Sequence, residues 1–507
     1  MLLTERYADK LYGVLSCYDR IVIQGTLPGW CYDQGMTSWL YANNIRIFDY
    51  PEFAKTLREE IRDNAEQLAE RHGVNIEYIR KTKAFRKESR IKEIIEERGD
   101  HPGLVHIFSA MEPCTSYKPW HDKPSGRTYL TYDSGKCLHY YFYFIDAELG
   151  LCYMRVPTWC PFRLQFYFNG HNWLASKLQK HQIAYVMQDN VFLEIDDFVK
   201  AQELSDNFRV EKLHKYLDLF AARYCPVICQ YDLAYHWSIM QVEYAMDIAF
   251  KKQSDLQGIY DHLVRTAIHS VKPENIASFL GTKLNMNYKG EMGNNFNTRI
   301  QGTRIKHQMG ALSLKMYDKM GIVLRIETTC NDVSQFKIHR DVHHRDGTTS
   351  RQLAKMSKNI YSLFPLAGLL KACNRRYLEY ISVFDDPSQG MKKLSKVSAT
   401  VKESGRSYKG FNFYSEEDRK LFEILAEGGL NLKGFQNKDL REHFPGRSTG
   451  SLSRILKRLR KHGLIKKVRG SYKYYLTTLG KSVIATGLRI RNLFVIPELA
   501  GIQVSSC

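Results

Sequence analysis

The stretch LSLKMYDKMGIVLRIETT, residues 312–329, reads as two strands joined by a short turn. Apolar and polar side chains alternate along both halves, which is typical of strands with one buried face. A three-residue turn keeps the apolar side chains of both strands on one face, whereas a two-residue turn mixes the two faces. The preferred register therefore places Tyr317 opposite Arg325 and Lys315 opposite Glu327, all on one polar face.

This open polar face suits contact with phosphate, and its glutamate could bind a metal or accept a proton. Ion pairing across an ordinary solvated hairpin is the alternative. Cations and histidines are frequent on both sides of the hairpin in the sequence, which favours the phosphate interpretation. We predict three catalytic residues, which are Glu327, Tyr317 and Asp19. The predicted nucleic-acid contacts around them are Lys315, Lys319, Arg325, Arg304, Lys306 and His307.

Carboxylates at strand ends could hold Mg²⁺ or Mn²⁺ for phosphodiester cleavage, and either ion is the expected cofactor. The candidate carboxylates are Asp19, Asp146, Glu243, Asp247 and Glu327. Glu243 and Asp247 fall in a segment, residues 208–280, that is predicted to be largely helical. There they would lie one turn apart, a spacing that suits either a metal site or a solvated helix face.

The cysteines favour buried thiols over a metal site. There are 11 of them, an odd number, which disfavours a disulfide framework. The densest group is irregularly spaced and could bind zinc, although strand cysteines are more often small core residues. That group consists of Cys137, His139, Cys152, Cys160 and His171.

Composition limits the classes of partner. The chain has 507 residues, too many for one ordinary core, and its charged and hydrophobic fractions are 25% and 44%, typical of globular proteins. It lacks an apolar run long enough to cross a membrane, and charges interrupt its first residues where a signal peptide would be apolar. We therefore expect a cytoplasmic protein. The net charge of +20 indicates a polyanionic partner, with DNA favoured and RNA the alternative.

The pattern of predicted strands and helices indicates an α+β fold. A large mixed N-terminal region with antiparallel sheet and helices is followed by a smaller C-terminal domain. The predicted divisions are an α+β region with an aromatic strand block (1–200), a helical segment with the hairpin (201–383), a basic flexible linker (384–414), a winged helix-turn-helix domain (415–494) and a tail (495–507).

The C-terminal domain has the predicted order helix, helix, helix and β-hairpin. From residue 431 onward the chain contains 16 Lys plus Arg against 3 Asp plus Glu, which is most of the net charge. The phrase LRKHGLIKKVRGSYKYYLTTLG resembles the end of a recognition helix and the wing of winged helix-turn-helix domains. That resemblance implies a helix in the DNA major groove and a wing on the backbone. The implied contacts are Arg454, Lys457, Arg458, Lys461, Arg469 and Lys473. A winged helix used for protein contacts is the alternative.

Two wider resemblances involve the hairpin. KMYDK followed by LRIE resembles a phrase in the replication initiators of rolling-circle plasmids and filamentous phage, which nick DNA through a tyrosine. Together with YDRIVIQGTLP, KCLHYYFYF, TWCPF and NGHNWLA, it also resembles a bacterial protein family of unassigned function. We therefore expect a DNA-processing protein, such as a replication initiator or a mobile-element protein. A non-catalytic regulator or an RNA-binding ribonucleoprotein component is the alternative.

Overall fold

The computed structural model describes residues 2–80, 85–231, 233–281, 296–301, 303–344, 346–385, 388–427, 430 and 433–500. The chain divides into two compact units, Met1–Asp385 and Asp386–Cys507. Its fold is mixed α+β, as the sequence predicts. Among the residues described, no helix is both long and apolar enough to cross a membrane.

The first unit is built on one sheet of eleven strands. In chain order they are β1 (Leu11–Thr26), β2 (Ile76–Tyr78), β3 (Gly103–Asp122), β4 (Arg127–Asp146), β5 (Gly150–Pro157), β6 (Leu164–Asn169), β9 (His236–Phe250), β10 (Phe296–Gln301), β11 (Arg304–Met309), β12 (Leu312–Lys319) and β13 (Val323–Cys330). Their order across the sheet is 10-11-12-13-9-1-6-5-4-3-2. All neighbours are antiparallel except β2 and β3. Two hairpins lie outside the sheet, β7 (Tyr185–Gln188) with β8 (Val191–Ile195), and β14 (Lys337–His343) with β15 (Thr349–Lys355).

The sheet contradicts the predicted division at residue 200. Strand β9 lies between β1 and β13, so the aromatic strand block and the 312–329 hairpin belong to one sheet. Residues 208–280 contain helices at Val210–Tyr224, Gln253–His269 and Pro273–Phe279, as predicted, but the prediction of helix was wrong for His236–Phe250, which is β9. Apolar residues at 242, 244, 246, 248 and 250 alternate with polar or small ones, which is the period of a strand.

Helices cover both faces of the sheet. They are α1 (Leu3–Arg6), α2 (Asp33–Ala42), α3 (Tyr50–His72), α4 (Lys87–Arg98), α5 (Gly170–Lys180), α6 (Phe198–Asp206), α7 (Val210–Tyr224), α8 (Val227–Gln230), α9 (Gln253–His269), α10 (Pro273–Phe279) and α11 (Leu363–Asp385). The main core lies on the face that α3, α7 and α11 cover. On the opposite face α4 packs over β3 and β4, and hairpin β7–β8 packs over β9 and β13. This second face carries the polar side chains of the 312–329 hairpin, and we call it the polar face.

The second unit has its own core. It contains α12 (Ser388–Ser398), β16 (Val401–Glu403), β17 (Arg406–Tyr408), α13 (Glu416–Ala426), α14 (Asn437–His443), α15 (Thr449–Lys461), β18 (Ile465–Lys467), β19 (Tyr474–Leu476), α16 (Thr478–Ile490) and α17 (Ile496–Leu499). Helices α13 to α15 and hairpin β18–β19 follow in the order that the sequence predicts. The assignment to the winged-helix class rests on the resemblance and stays a prediction.

The segment 384–414, predicted to be a flexible linker, is structured over most of its length. It forms α12 and hairpin β16–β17, and Val397 and Phe411 are buried in the core of the second unit. The alternation of Lys and Ser hid this helix, because only a few apolar residues mark its buried side.

Candidate functional site

The register of the 312–329 hairpin is the predicted one. Tyr317 pairs with Arg325, Lys315 with Glu327, and Met316 with Ile326. The turn occupies residues 320–322, where Gly321 adopts a φ of 69°, a left-handed conformation that glycine accepts without strain. The three-residue turn therefore keeps one face polar and the other apolar.

Three of the predicted carboxylates converge on the polar face. Glu327 comes from β13, Glu243 from β9 and Asp19 from β1, and one oxygen of each lies within 4.8 Å of the others. Strand pairing explains the first two, because Glu243 lies opposite Thr329, two residues from Glu327 on the same face. Asp19 joins them at a β-bulge, where it is the extra residue of β1 opposite β9. Bulges redirect single side chains in this way.

A lysine and a tyrosine on β12 bind the two glutamates. Lys315 Nζ lies 2.6 Å from an oxygen of Glu327 and 2.9 Å from an oxygen of Glu243. The Tyr317 hydroxyl donates to the other Glu327 oxygen at 2.7 Å. Thr329 Oγ1 donates to Glu243 at 3.3 Å. Lys315, Tyr317 and Thr329 are therefore all donors to the two glutamates.

Arg325 is completely buried, which corrects its prediction as a phosphate contact on an open face. Its guanidinium binds both oxygens of Asp247 at 2.6 Å and reaches Asp19 at 3.3 Å. It also donates to the Asn190 carbonyl at 2.6 Å. These contacts occupy the N–H donors of the guanidinium within the protein. Arg325 therefore fixes the positions of Asp247 and Asp19 and does not contact a ligand.

His171, at the start of α5, completes this buried network. Its Nδ1 lies 3.1 Å from Asp19 and its Nε2 lies 3.2 Å from Asp247. Burial and Arg325 disfavour the imidazolium, but Cys17 and the carboxylates of Asp19 and Asp247 outweigh them and raise the pKa of His171 above its ordinary value. Asn169 and Asn190 both donate to the same Asp19 oxygen, at 3.0 and 2.7 Å. Asp19 is thus held in place from several sides.

The same contacts separate the pKa values of the acids. Burial alone would raise the pKa of Asp19 and of Asp247, but Arg325 and His171 outweigh it and hold both below their usual range. Burial and the neighbouring Glu243 raise the pKa of Glu327, and Lys315 offsets only part of that rise. Burial and Glu327 also raise the pKa of Tyr317, so its phenol is neutral at pH 7. A bound cation would therefore stabilise the charged form of Glu327 more than that of Asp19 or Asp247.

The remaining predicted contacts of the first unit fall in different places. Arg304 is exposed and stacks over the Tyr317 ring at 4.7 Å, and Lys306 is half-buried opposite Lys315 on β11. Lys319 donates to Asn190 at 2.7 Å. His307 lies on the other face, fully buried beside Tyr377, and burial lowers the pKa of its imidazole to about 4. His307 is therefore a core residue, and its prediction as a nucleic-acid contact is corrected.

Of the other candidates, His171 of the cysteine group lies beside Asp19, whereas Asp146 and the rest of that group lie outside the three carboxylates. Asp146 accepts backbone bonds from Glu148 and Leu149 in the turn after β4. Cys137 Sγ lies 3.8 Å from His139 Nδ1. Within the part of the chain that the structure describes, the three carboxylates are the one group of three or more metal-binding side chains in mutual reach. The Cys and His side chains that were the alternative candidate for zinc thus form no such group there.

The predicted contacts of the second unit differ in availability. Arg454 and Arg469 are exposed, and Lys457 and Lys473 are half-buried. Arg458 binds Asp418 at 2.8 Å, donates to the Gly410 carbonyl and stacks on Phe411. Lys461 pairs with Glu403. Arg458 therefore holds the core of its own unit together, while the first four remain available to a ligand.

Stability at low pH provides a test of the buried network. The pKa of Asp247 is lower in the folded protein than in the unfolded chain, so its stabilising contribution is complete above the unfolded value of about 3.9 and is lost as pH falls toward the folded value. Arg325 and His171 face it directly, with Asp19 beyond. We expect the free energy of unfolding to fall below about pH 5 and to fall less steeply in Asp247→Asn. Urea titrations from pH 6 to pH 2.5 measure both slopes, and equal slopes would contradict the assignment.

The site that emerges is a carboxylate triad with a lysine and a tyrosine on one side and a buried Arg–Asp–His network on the other. Its residues come from β1, β9, β12, β13 and α5. Comparison of the chain with family models, curated proteins and solved structures finds no match.

Proposed function

We propose that the protein is a nucleic-acid-processing enzyme that cleaves or transfers phosphodiester bonds with a divalent cation bound by Asp19, Glu243 and Glu327. The convergence of these three carboxylates from neighbouring strands is the observation that carries the proposal. Oxygen ligands of this kind suit Mg²⁺ or Mn²⁺. Such a cation would polarise a phosphate oxygen and neutralise charge that develops during displacement at phosphorus.

The burial of the triad indicates the side from which a substrate approaches. The Glu327 side chain is 1% exposed, whereas Glu243 and Lys315 are each 16% exposed. Beyond Lys315, the neighbouring strands add Lys306 and Arg299 on the polar face. The accessible side of the carboxylates is therefore bordered by cations, which is the arrangement that a polyanionic backbone requires.

Tyr317 is the candidate nucleophile among the protein groups at the triad, with water as the other candidate. Its hydroxyl already donates to Glu327, which is placed to take the proton. In this version a bond forms between the Tyr317 oxygen and phosphorus, and the bond from phosphorus to the leaving sugar oxygen breaks. A covalent protein–nucleic acid adduct then accumulates, whereas attack by water gives cleavage without an adduct.

A cleavage assay tests the function. The protein is incubated with Mg²⁺ or Mn²⁺ and with single-stranded, duplex and hairpin DNA and RNA, and products are resolved with and without EDTA. We expect cation-dependent cleavage or strand transfer on at least one DNA substrate. Cleavage that persists in EDTA, or no reaction on any substrate, would contradict the proposal.

The second unit supports DNA as the substrate. We infer that α15 and the β18–β19 hairpin contact the duplex, because exposed cations lie along that helix and at the hairpin tip. They include Arg454, Arg469 and also Arg460, which the sequence did not single out. A winged helix that selects the site and a first unit that performs the reaction would divide the work between the two units.

We expect Arg454→Ala combined with Lys457→Ala to weaken DNA binding and to flatten its salt dependence. Each lost phosphate contact lowers the slope of log K against log salt by about 0.9. Fluorescence anisotropy at several salt concentrations measures this slope. Lys481→Ala, an exposed lysine on α16, is the matched control and should leave the slope unchanged. An unaltered slope in the double variant would count against a DNA-binding role for α15.

A further inference from the structure

A second cluster of charges lies at the turn between β4 and β5. Three lysines converge on the Glu148 carboxylate, Lys177 and Lys180 from α5 and Lys212 from α7, at distances of 2.9, 2.8 and 2.6 Å. Lys212 shares one Glu148 oxygen with Lys180 and the other with Lys177. The three ammonium groups are therefore packed closely against one another around a single carboxylate.

The charges of this cluster do not balance. One carboxylate faces three ammonium groups, and the exposed Arg209 lines the same cavity and adds a fourth positive charge. Burial opposes ionisation, but Lys180, Lys212 and Lys177 keep the pKa of Glu148 well below its usual range, so the carboxylate is charged. Surface ion pairs of this kind contribute little to stability, and the lysines repel one another. An anion would relieve that repulsion.

The cluster borders a cavity of about 310 Å³ with aromatic walls. Trp173 and Phe208 meet edge to face there at 4.9 Å, and Tyr216 lines the cavity from α7. Its volume is at the lower end of small-molecule sites, which are apolar cavities with a few placed polar groups. Lys177 lies over the Trp173 ring at 5.7 Å and Lys212 over the Tyr216 ring at 5.8 Å, so the cavity combines ammonium groups with aromatic rings. These are the two features of a site for a phosphorylated ring compound.

We propose that this cavity binds a ligand of the nucleoside monophosphate class. The phosphate takes the place of the Glu148 carboxylate on the three lysines, and the base lies against the aromatic wall. Glu148 then acts as an internal competitor that occupies the lysines in the free protein. The same chemistry is offered by a free nucleotide and by the 5′-phosphorylated end of a strand.

This site is distinct from the carboxylate triad and does not depend on the proposed function. Helix α5 links the two, since His171 lies in its first turn and Lys177 and Lys180 lie in its last turn. Titrations in EDTA, without divalent cations, therefore measure binding at the lysine cluster separately from any reaction at the triad.

Isothermal titration calorimetry tests the proposal with the four common ribonucleoside monophosphates, inorganic phosphate and adenosine. We expect at least one monophosphate to bind about tenfold more tightly than inorganic phosphate, and adenosine to bind more weakly than either. Lys180→Ala and Lys212→Ala, both half-exposed lysines, should each weaken binding about tenfold, since each removes a charge-assisted hydrogen bond. Lys215→Ala, an exposed lysine on the same helix as Lys212, is the matched control and should bind as the wild type does.

Glu148→Gln is expected to change nucleotide affinity in the opposite direction to the lysine substitutions. Removal of the internal carboxylate should tighten nucleotide binding about tenfold, and the nucleotide should raise the melting temperature of this variant more than that of the wild type. A purely structural ion-pair cluster would not produce this pair of results. A 5′-phosphorylated dinucleotide that binds as tightly as the monophosphate assigns the site to strand ends, and exclusion of the dinucleotide assigns it to free nucleotides.

Three results would overturn the proposal. The first is that no monophosphate binds. The second is that the double variant Lys180→Ala/Lys212→Ala binds the monophosphate as tightly as the wild type does. The third is that inorganic phosphate binds as tightly as every nucleotide. The thermal melt of each variant confirms that it is folded before its titration is interpreted.

Discussion

Glu327→Gln is expected to lower the rate of the proposed cation-dependent cleavage by at least about a hundredfold, because a cation at the site would supply several kcal/mol of transition-state stabilisation. The amide keeps the shape of the side chain, and its one oxygen can replace one of the two Glu327 oxygens that accept from Lys315 and Tyr317. It loses the charge that, with Glu243 and Asp19, would hold the ion. Single-turnover cleavage at saturating Mn²⁺ measures the effect on the chemical step.

The controls separate metal binding from fold. Glu194→Gln removes an exposed strand carboxylate outside the triad, on β8, and should leave the rate unchanged. Tyr317→Phe distinguishes the two nucleophiles, since it abolishes both adduct and cleavage if the tyrosine attacks and preserves cleavage if water does. A wild-type rate in Glu327→Gln would remove this residue from the reaction.

Arg325→Met is expected to have the largest effect on stability, a loss of about 3–5 kcal/mol in the free energy of unfolding. Removing one partner of a buried ion pair leaves the other charge uncompensated in a medium of low dielectric constant. Here Asp247 loses a bidentate partner and Asp19 loses the guanidinium at 3.3 Å. Urea titration at pH 7 measures the difference.

Arg304→Met is the matched control for that measurement. Arg304 lies on β11, exposed, with its guanidinium over the Tyr317 ring, a contact that contributes roughly 0.5–1 kcal/mol at such sites. Its loss should therefore change the free energy of unfolding by no more than that amount. Comparable destabilisation by the two substitutions would show that the Arg325 network does not have the role assigned to it.

The geometry of the hairpin was predictable because the information is local. Alternation along residues 312–329 fixes which side chains share a face, and the turn length fixes the register, so the pairings Tyr317–Arg325 and Lys315–Glu327 follow from sequence alone. The environment of those pairs was not predictable. Burial of Arg325 depends on β9, on α5 and on hairpin β7–β8. These elements are distant in sequence, so the residues around Arg325 do not indicate that it is buried.

The members of the carboxylate triad were predictable from the sequence, but their convergence was not, for a related reason. Asp19, Glu243 and Glu327 are all recognisable as candidates, but their convergence requires β9 to lie between β1 and β13. The helical interpretation of residues 236–250 concealed this, although the alternation from Val242 to Phe250 indicates a strand. Asn190 shows the limit most clearly, because its contact with Asp19 spans 171 positions of the chain.

In the second unit the sequence predicts the order of the elements but not the contacts of individual side chains. The order of helices and hairpin, and the charge of α15, follow from the sequence. The partners of individual cations do not, since Arg458 is paired with Asp418 from α13 and Lys461 with Glu403 from β16. A basic residue on a predicted recognition helix is thus available for DNA only when its own unit leaves it unpaired.

Direct Mn²⁺ binding tests the central claim most simply, because it needs no substrate. Electron paramagnetic resonance of free Mn²⁺, titrated with the wild type and with Asp19→Asn, Glu243→Gln and Glu327→Gln, counts the sites that each protein holds. We predict one Mn²⁺ site in the wild type that each of the three variants weakens by at least about tenfold, while Glu194→Gln binds as the wild type does. Equal Mn²⁺ affinity in the wild type and all three triad variants would contradict the account.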